Sequence, residues 1–162
     1  MANTAPALPS RMRQVRFNGA GGPEVVELED APLPADEAEL AKLRGRRIGI
    51  VLQQTARALD PLRSVATHLT EALQNSRQPA AAADITALLA DVGLDAKLAP
   101  RFPHQLSAGQ RQQIMVALAL AGKPDLLIAD EPAAALDVIA QRKIVDLIER
   151  HCSERGMAWL RI

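Results

Sequence analysis

The chain has 162 residues, enough for one domain with a real core, and a formal net charge of zero. The neutral balance and the 2% aromatic content offer nucleic acid neither an attractive field nor a stacking platform, and a lone cysteine, Cys152, excludes an internal disulfide framework or a cysteine-rich metal site. No apolar run approaches the roughly 20 residues of a membrane span. Met1–Ser10 lacks the basic start and apolar stretch of a secretory signal, so a cytosolic chain, held at a membrane only through a partner, is expected.

Residues 1–11, rich in Pro and Ala, are expected to be disordered. Gln14–Phe17 and Val25–Leu28 read as short strands around a Gly19–Pro23 turn, and Ala31–Pro34 as a stiff connector. Asp36 suits the N-cap of a short helix to Leu43, with Glu37 and Glu39 at its positive end. A basic turn, Arg44–Arg47, leads into the apolar run Ile48–Leu52, a buried strand.

Helical spacing then puts Val65, Leu69, Ala72 and Leu73 on one face behind a Ser64 cap. Ile85, Leu88, Leu89 and Val92 share another face that stops at Gly93. Gln110–Ala121 forms a third helix ending at Gly122, Leu126–Ala129 a second buried strand, and Val138–Arg150 a fourth helix with Val138, Val145 and Ile148 inward. Met157–Ile162 reads as a third core strand. Strands alternating with helices predict an α/β fold with a mostly parallel sheet.

Two places carry chemistry. Leu106-Ser107-Ala108-Gly109-Gln110 opens a helix, where backbone N–H groups and the dipole favour phosphate and Gly109 permits close approach; the same pattern is also that of an ordinary serine N-cap. Asp130 and Glu131 end an apolar strand, where ligands of open α/β sheets gather. One carboxylate there can hold Mg²⁺ through water, and its neighbour can orient or deprotonate a water molecule; an isolated pair of this kind is also that of a solvated acidic turn before a helix, with Pro132 at N1. Gln53 ends the first core strand, where its amide could contact a metal-bound water or sense a ligand, though by itself it reads more simply as a polar loop residue, and Asp137 reads most simply as the cap of the helix from Val138.

Together these segments resemble the nucleotide-binding domain of an ABC transporter. Arg46–Gln53 followed by Leu59-Asp60-Pro61 resembles the glutamine loop, Pro103–Gln112 the signature, Leu126–Pro132 the Walker B strand, and Ala135–Asp137 the D-loop. The Pro103-His104-Gln105 lead-in and Ala135–Val138 look most like the peptide and nickel import branch. The resemblance covers about residues 36–162 and implies a partial P-loop NTPase fold of ABC type, with a helical subdomain over about 62–122. It implies ATP and Mg²⁺ as ligands, Glu131 as the catalytic residue and Asp130 with Gln53 at the metal. Gln53, Ser107, Gly109, Gln110 and Asp137 would lie at the nucleotide. The implied partners are transmembrane permease subunits and a second nucleotide-binding subunit, in a homo- or heterodimer on the inner face of the plasma membrane, with no nucleic acid. Similar signatures occur in DNA-repair ATPases, but no coiled-coil or zinc-bearing insertion precedes this one.

The chain departs from that pattern in several places. No G-x-x-x-x-G-K-[ST] occurs in it, and Gly19–Gly22 lacks the lysine and hydroxyl residue of a Walker A loop. Ala108 stands for the first signature glycine, Ala133-Ala134 for a polar pair, and the family's switch histidine would fall two positions after Ile162. These departures lead us to expect a truncated or rearranged form, marginally stable and a poor ATPase alone. The alternative function is a non-catalytic remnant or regulatory half-site that lends its signature to an intact partner. Residues 12–34, with Gly21-Gly22-Pro23-Glu24 and Pro32-Leu33-Pro34, resemble instead the start of a quinone oxidoreductase, an edge segment that carries no chemistry; residues 1–35 are therefore read as a separate N-terminal segment.

Overall fold

The computed structural model describes residues 11–17, 26–32, 41–51, 58–132 and 136–162, in two units divided after Lys42. The first holds an antiparallel hairpin of β1 (Arg11–Phe17) and β2 (Val26–Pro32), in register from Arg11 opposite Pro32 to Phe17 opposite Val26. Both strands outrun the expectation. β1 begins three residues before Gln14, so Arg11 belongs to a strand rather than to a disordered start. Ala31 and Pro32, expected in a connector, close β2, where a proline lacking its N–H is tolerated in the terminal pair. The helix anticipated from Asp36 begins outside the described residues.

The second unit starts with the basic turn. Leu43 accepts from the Arg46 and Arg47 N–H groups, and Gly45 takes a left-handed φ of 71°. β3 (Ile48–Val51), β4 (Leu126–Ala129) and β5 (Ala158–Arg161) form a parallel sheet in the order β3-β4-β5. Ile48 pairs with Leu126, and Leu126 with Ala158. Parallel neighbours need long crossovers. The first contains α1 (Val65–Asn75), α2 (Ala82–Asp91) and α3 (Ala108–Leu120), and the second is α4 (Val138–Arg155).

Each helix begins where its sequence supplies a cap. Ser64 Oγ accepts from Thr67 N, Asp84 accepts from Ala81 N, and Asp137 Oδ1 accepts from Ala140 N at 2.9 Å. The predicted inner faces of α1 and α2 are buried except at Ala72, which is half-buried, and Gly93 ends α2 with a φ of 76°. α3 packs against β3, α1, α2 and α4, so it is buried nearly all round, from Gln112 through Leu120. Its far end lies on the basic turn: a Cβ on Gly122 would sit 2.8 Å from the Gly45 carbonyl carbon, and one on Gly49 would sit 2.5 Å from the Ala119 carbonyl oxygen.

α4 corrects the sequence reading. It runs to Arg155, five residues past Arg150, and closes on left-handed Gly156. Its buried face is Ile144, Leu147, Ile148 and His151, while Val138 is 80% exposed and Val145 only half-buried. A histidine on the core stripe hides the helix's true phase from a hydrophobic count.

Candidate functional site at the carboxyl end of the sheet

β4 is the middle strand, so Asp130 and Glu131 leave the sheet at its centre. Backbone bonds fix them there. Asp130 N–H donates to the Val51 carbonyl at 3.0 Å, and Glu131 N–H to the Ile162 carbonyl at 3.2 Å. Ile162 N–H donates in turn to Ala129 at 3.0 Å. All three strand ends therefore hold the carboxylate pair.

Glu131 has a φ of +40°, an uncommon value for a residue with a side chain, and it precedes Pro132. Such backbone costs on the order of 1–3 kcal/mol and persists only where its surroundings over-determine it. The Ile162 bond and buried Pro132 are those surroundings.

A cavity of about 580 Å³ opens beside Glu131, lined by Val138, Gln141 and Arg142 of α4 and by Arg161 and Ile162 of β5. Arg142 also pairs with Asp146 at 2.7 Å. The cavity thus gathers an acidic residue and basic residues from two elements at one rim, chemistry suited to a polyanion with a bound cation. The sequence reading did not single out Gln141, Arg142 or Arg161. Arg161, a charge closing an otherwise apolar strand, was the available signal; the other two meet Glu131 only through the packing of α4.

Asp130 offers one hard carboxylate donor, which fits Mg²⁺, an ion that keeps several waters and takes its remaining ligands from phosphate. Among the described residues no group of three or more His, Cys, Asp or Glu forms a ready-made metal cage. Gln53, the other anticipated metal contact, lies outside the described residues.

The signature segment forms a second, separate feature. Ser107 Oγ accepts from Gln110 N at 3.2 Å, while Gln110 Oε1 accepts from Ser107 N at 2.9 Å, a reciprocal capping box. Both side chains are committed to that box, so the ordinary capping role is present. The same box fixes the first turn of α3, whose leading N–H groups have no partner within the helix, as an anion would require. Arg111 Nη1 donates to the Leu106 carbonyl at 2.7 Å and clamps the lead-in. A Cβ on Gly109 would meet nothing within 4 Å, so its open side faces outward. Among the described residues, α3 contributes nothing to the cavity beside Glu131. Asp137 caps α4, one residue before the cavity-lining Val138. Cys152 is half-buried, and burial pushes its thiol up to about 11.

The family model described as ABC transporter matches residues 24–134. The chain is 39% identical over 151 residues to the uncharacterized ABC transporter ATP-binding protein YejF of Escherichia coli K12, covering 90% of this chain and 27% of that protein. It is 41% identical over 118 residues to the oligopeptide transport ATP-binding protein OppD of Lactococcus lactis, covering 67% of this chain and 34% of that one. A dimeric structure of the ATP-binding cassette MJ0796, in a post-hydrolysis state bound to ADP and Pi, superposes with a TM-score of 0.67 at 31% identity. That superposition covers 78% of this chain and 56% of the other. The chain thus spans well under half the length of these curated relatives. No helix among the described residues is long and apolar enough to cross a membrane.

Proposed function

The chain belongs to the ABC transporter family, and from that premise we propose that it is an ATP-binding, ATP-hydrolysing subunit of a peptide importer. The observation that carries the reading is the Asp130–Glu131 pair, held by three strand ends at the carboxyl edge of a parallel sheet. By the family resemblance, Asp130 and Gln53 would hold Mg²⁺, which would supply charge neutralisation at the phosphates. Glu131 orients the attacking water and takes its proton; its backbone is fixed before the reaction, so no reorganisation is needed there. Arg161 and Arg142 hold the polyanion near that carboxylate.

Ser107, Gly109 and Gln110 stand apart from this pair within the chain, and that separation supports a site completed between two subunits. In a head-to-tail pair, the α3 N-terminus faces the terminal phosphate held by the second nucleotide-binding subunit, and Asp137 lies at the same junction. Permease subunits then hold the assembly on the inner face of the plasma membrane. The oligopeptide transport name of a relative supports the peptide cargo.

A second reading is favoured by one observation: the signature end is fully built by its own capping box. Under it, the chain lends Ser107, Gly109 and Asp137 to an intact partner and does not itself turn over ATP. The two readings separate when the chain is mixed with an intact nucleotide-binding subunit of a peptide importer and ATP turnover is followed. Loss of the added turnover with both Ser107→Ala and Glu131→Gln supports the first reading. Loss with Ser107→Ala alone supports the second, and no effect of the wild-type chain overturns both.

A further inference from the structure

Three donors from α4 converge on the last residue of α2, Asp91. Its main-chain carbonyl accepts from Arg150 Nη2 at 2.7 Å and from His151 Nε2 at 3.0 Å, and its carboxylate accepts from Arg155 Nη2 at 2.5 Å. The last carbonyls of a helix have no partner in their own helix and carry the negative end of its dipole, so donors from a neighbour are well placed there. One residue on, the Val92 carbonyl accepts from Gln113 Nε2 of α3 at 2.8 Å. The turn Asp91–Leu94 is therefore gripped from two sides. One grip comes from the helix capped by Asp137, the other from the helix capped by Ser107.

His151 is 2% exposed. A carbonyl only accepts, so His151 must carry its proton on Nε2, and its buried Nδ1 has no partner among the described residues. A second proton would place a buried N–H at Nδ1 without an acceptor. The charged groups facing the ring are Asp91 from α2 and Arg150 and Arg155 from α4; α3 brings only the neutral Gln113 amide to the adjoining carbonyl. We propose that the Asp91 contact is a proton-operated latch, closed while His151 is neutral and released in acid, which frees the turn that the signature helix and the Asp137 helix both grip.

Burial, followed by the charges of Arg155 and Arg150, holds the His151 pKa below its ordinary 6.5, against the raising effect of the Asp91 bond. The sign follows from proton counting. The closed form binds fewer protons than the open form, so the latch has full strength above about pH 6.5 and weakens as pH falls below it, until the lowered value is passed. The latch concerns helix packing alone and does not depend on the nucleotide chemistry.

Hydrogen exchange on the full chain tests it, with protection factors corrected for the intrinsic rate. In the closed form the amides of Val92, Gly93 and Leu94 are bonded to the carbonyls of Leu89 and Ala90. Their protection should fall between pH 7.5 and 5.5, by at most about tenfold, the limit set by an open-form imidazole at its ordinary 6.5, while β4 amides hold. His151→Gln keeps an amide donor for the Asp91 carbonyl but cannot titrate, so its protection should not change with pH. Equal protection at both pH values in the wild type overturns the latch. So does an acid response retained by His151→Gln, or a parallel loss at every amide. Should that variant fail to fold, NMR titration of the wild-type imidazoles decides: His151 titrating below 6.5 supports the latch, and titration at or above 6.5 overturns it.

Discussion

Gly122→Ala puts a methyl group where backbone already stands. The added Cβ falls against the Gly45 carbonyl oxygen, 2.8 Å from its carbon and 3.0 Å from Arg46 Cα. Neither neighbour can swing aside as a side chain would. Gly45 is held through its carbonyl by Ser76 Oγ at 2.5 Å and through its N–H by the Ile48 carbonyl at 2.9 Å. Arg46 is tied to the Asn75 carbonyl at 3.2 Å. Relief must come from moving α3 off β3 or the turn off α1. Overpacking typically costs about 1–3 kcal/mol, and backbone against backbone belongs at the upper end. For a unit of this size, roughly 4 °C is lost per kcal/mol, so a fall in Tm of about 12 °C is expected. Thermal melts by circular dichroism measure it, with Gly109→Ala as a control. Ser76→Ala releases the Gly45 carbonyl, so Ser76→Ala with Gly122→Ala should cost less than the sum of the two. A Tm within about 3 °C of wild type for Gly122→Ala, or strict additivity, refutes the reasoning.

The remaining predictions separate stability from chemistry. Gly109→Ala meets open space, so its Tm should stay level or rise slightly, while turnover in the mixed assembly falls roughly tenfold as the methyl group keeps phosphate from the α3 N-terminus. Kinetic assays that leave turnover unchanged refute that role. The Cys152 thiol, pushed from an ordinary 9.0 to about 11, should react with a disulfide reagent at pH 8 about 100-fold more slowly than in urea-unfolded chain; equal rates contradict the burial argument. Among the described residues β5 pairs only with β4, and Leu160 is 50% exposed, so Leu160→Lys should reduce self-association in light scattering without lowering Tm by more than about 2 °C.

Local sequence carried the reading furthest where one segment holds the whole signal. The strands at Ile48 and Leu126 are short apolar runs, and the caps at Ser64, Ser107 and Asp137 are the residue types that accept from the third N–H of a helix. The carboxylate pair was legible as a strand end. The strained backbone of Glu131 was not, because it depends on the Ile162 carbonyl thirty-one positions away. Arg142 and Arg161 were passed over for the same reason: neither is part of a motif, and they meet Glu131 only when α4 and β5 pack beside β4. Val138 is apolar and begins a helix, which on sequence alone points it inward, yet that first turn projects past the core. His151 is the converse, a polar residue at the end of the buried face, admitted because α2 offers it a carbonyl.

The central claim is that metal and nucleotide meet at the carboxyl end of β4. Paramagnetic broadening by Mn²⁺ with ATP tests it, in a methyl-labelled full chain paired with an intact nucleotide-binding subunit. The account predicts that the methyl signals of Ile128 and Ile162, beside Asp130 and Glu131, broaden, that those of Ile85 and Leu88 in α2 do not, and that Asp130→Asn removes the effect. Broadening confined to other parts of the chain, or left intact by Asp130→Asn, would contradict it.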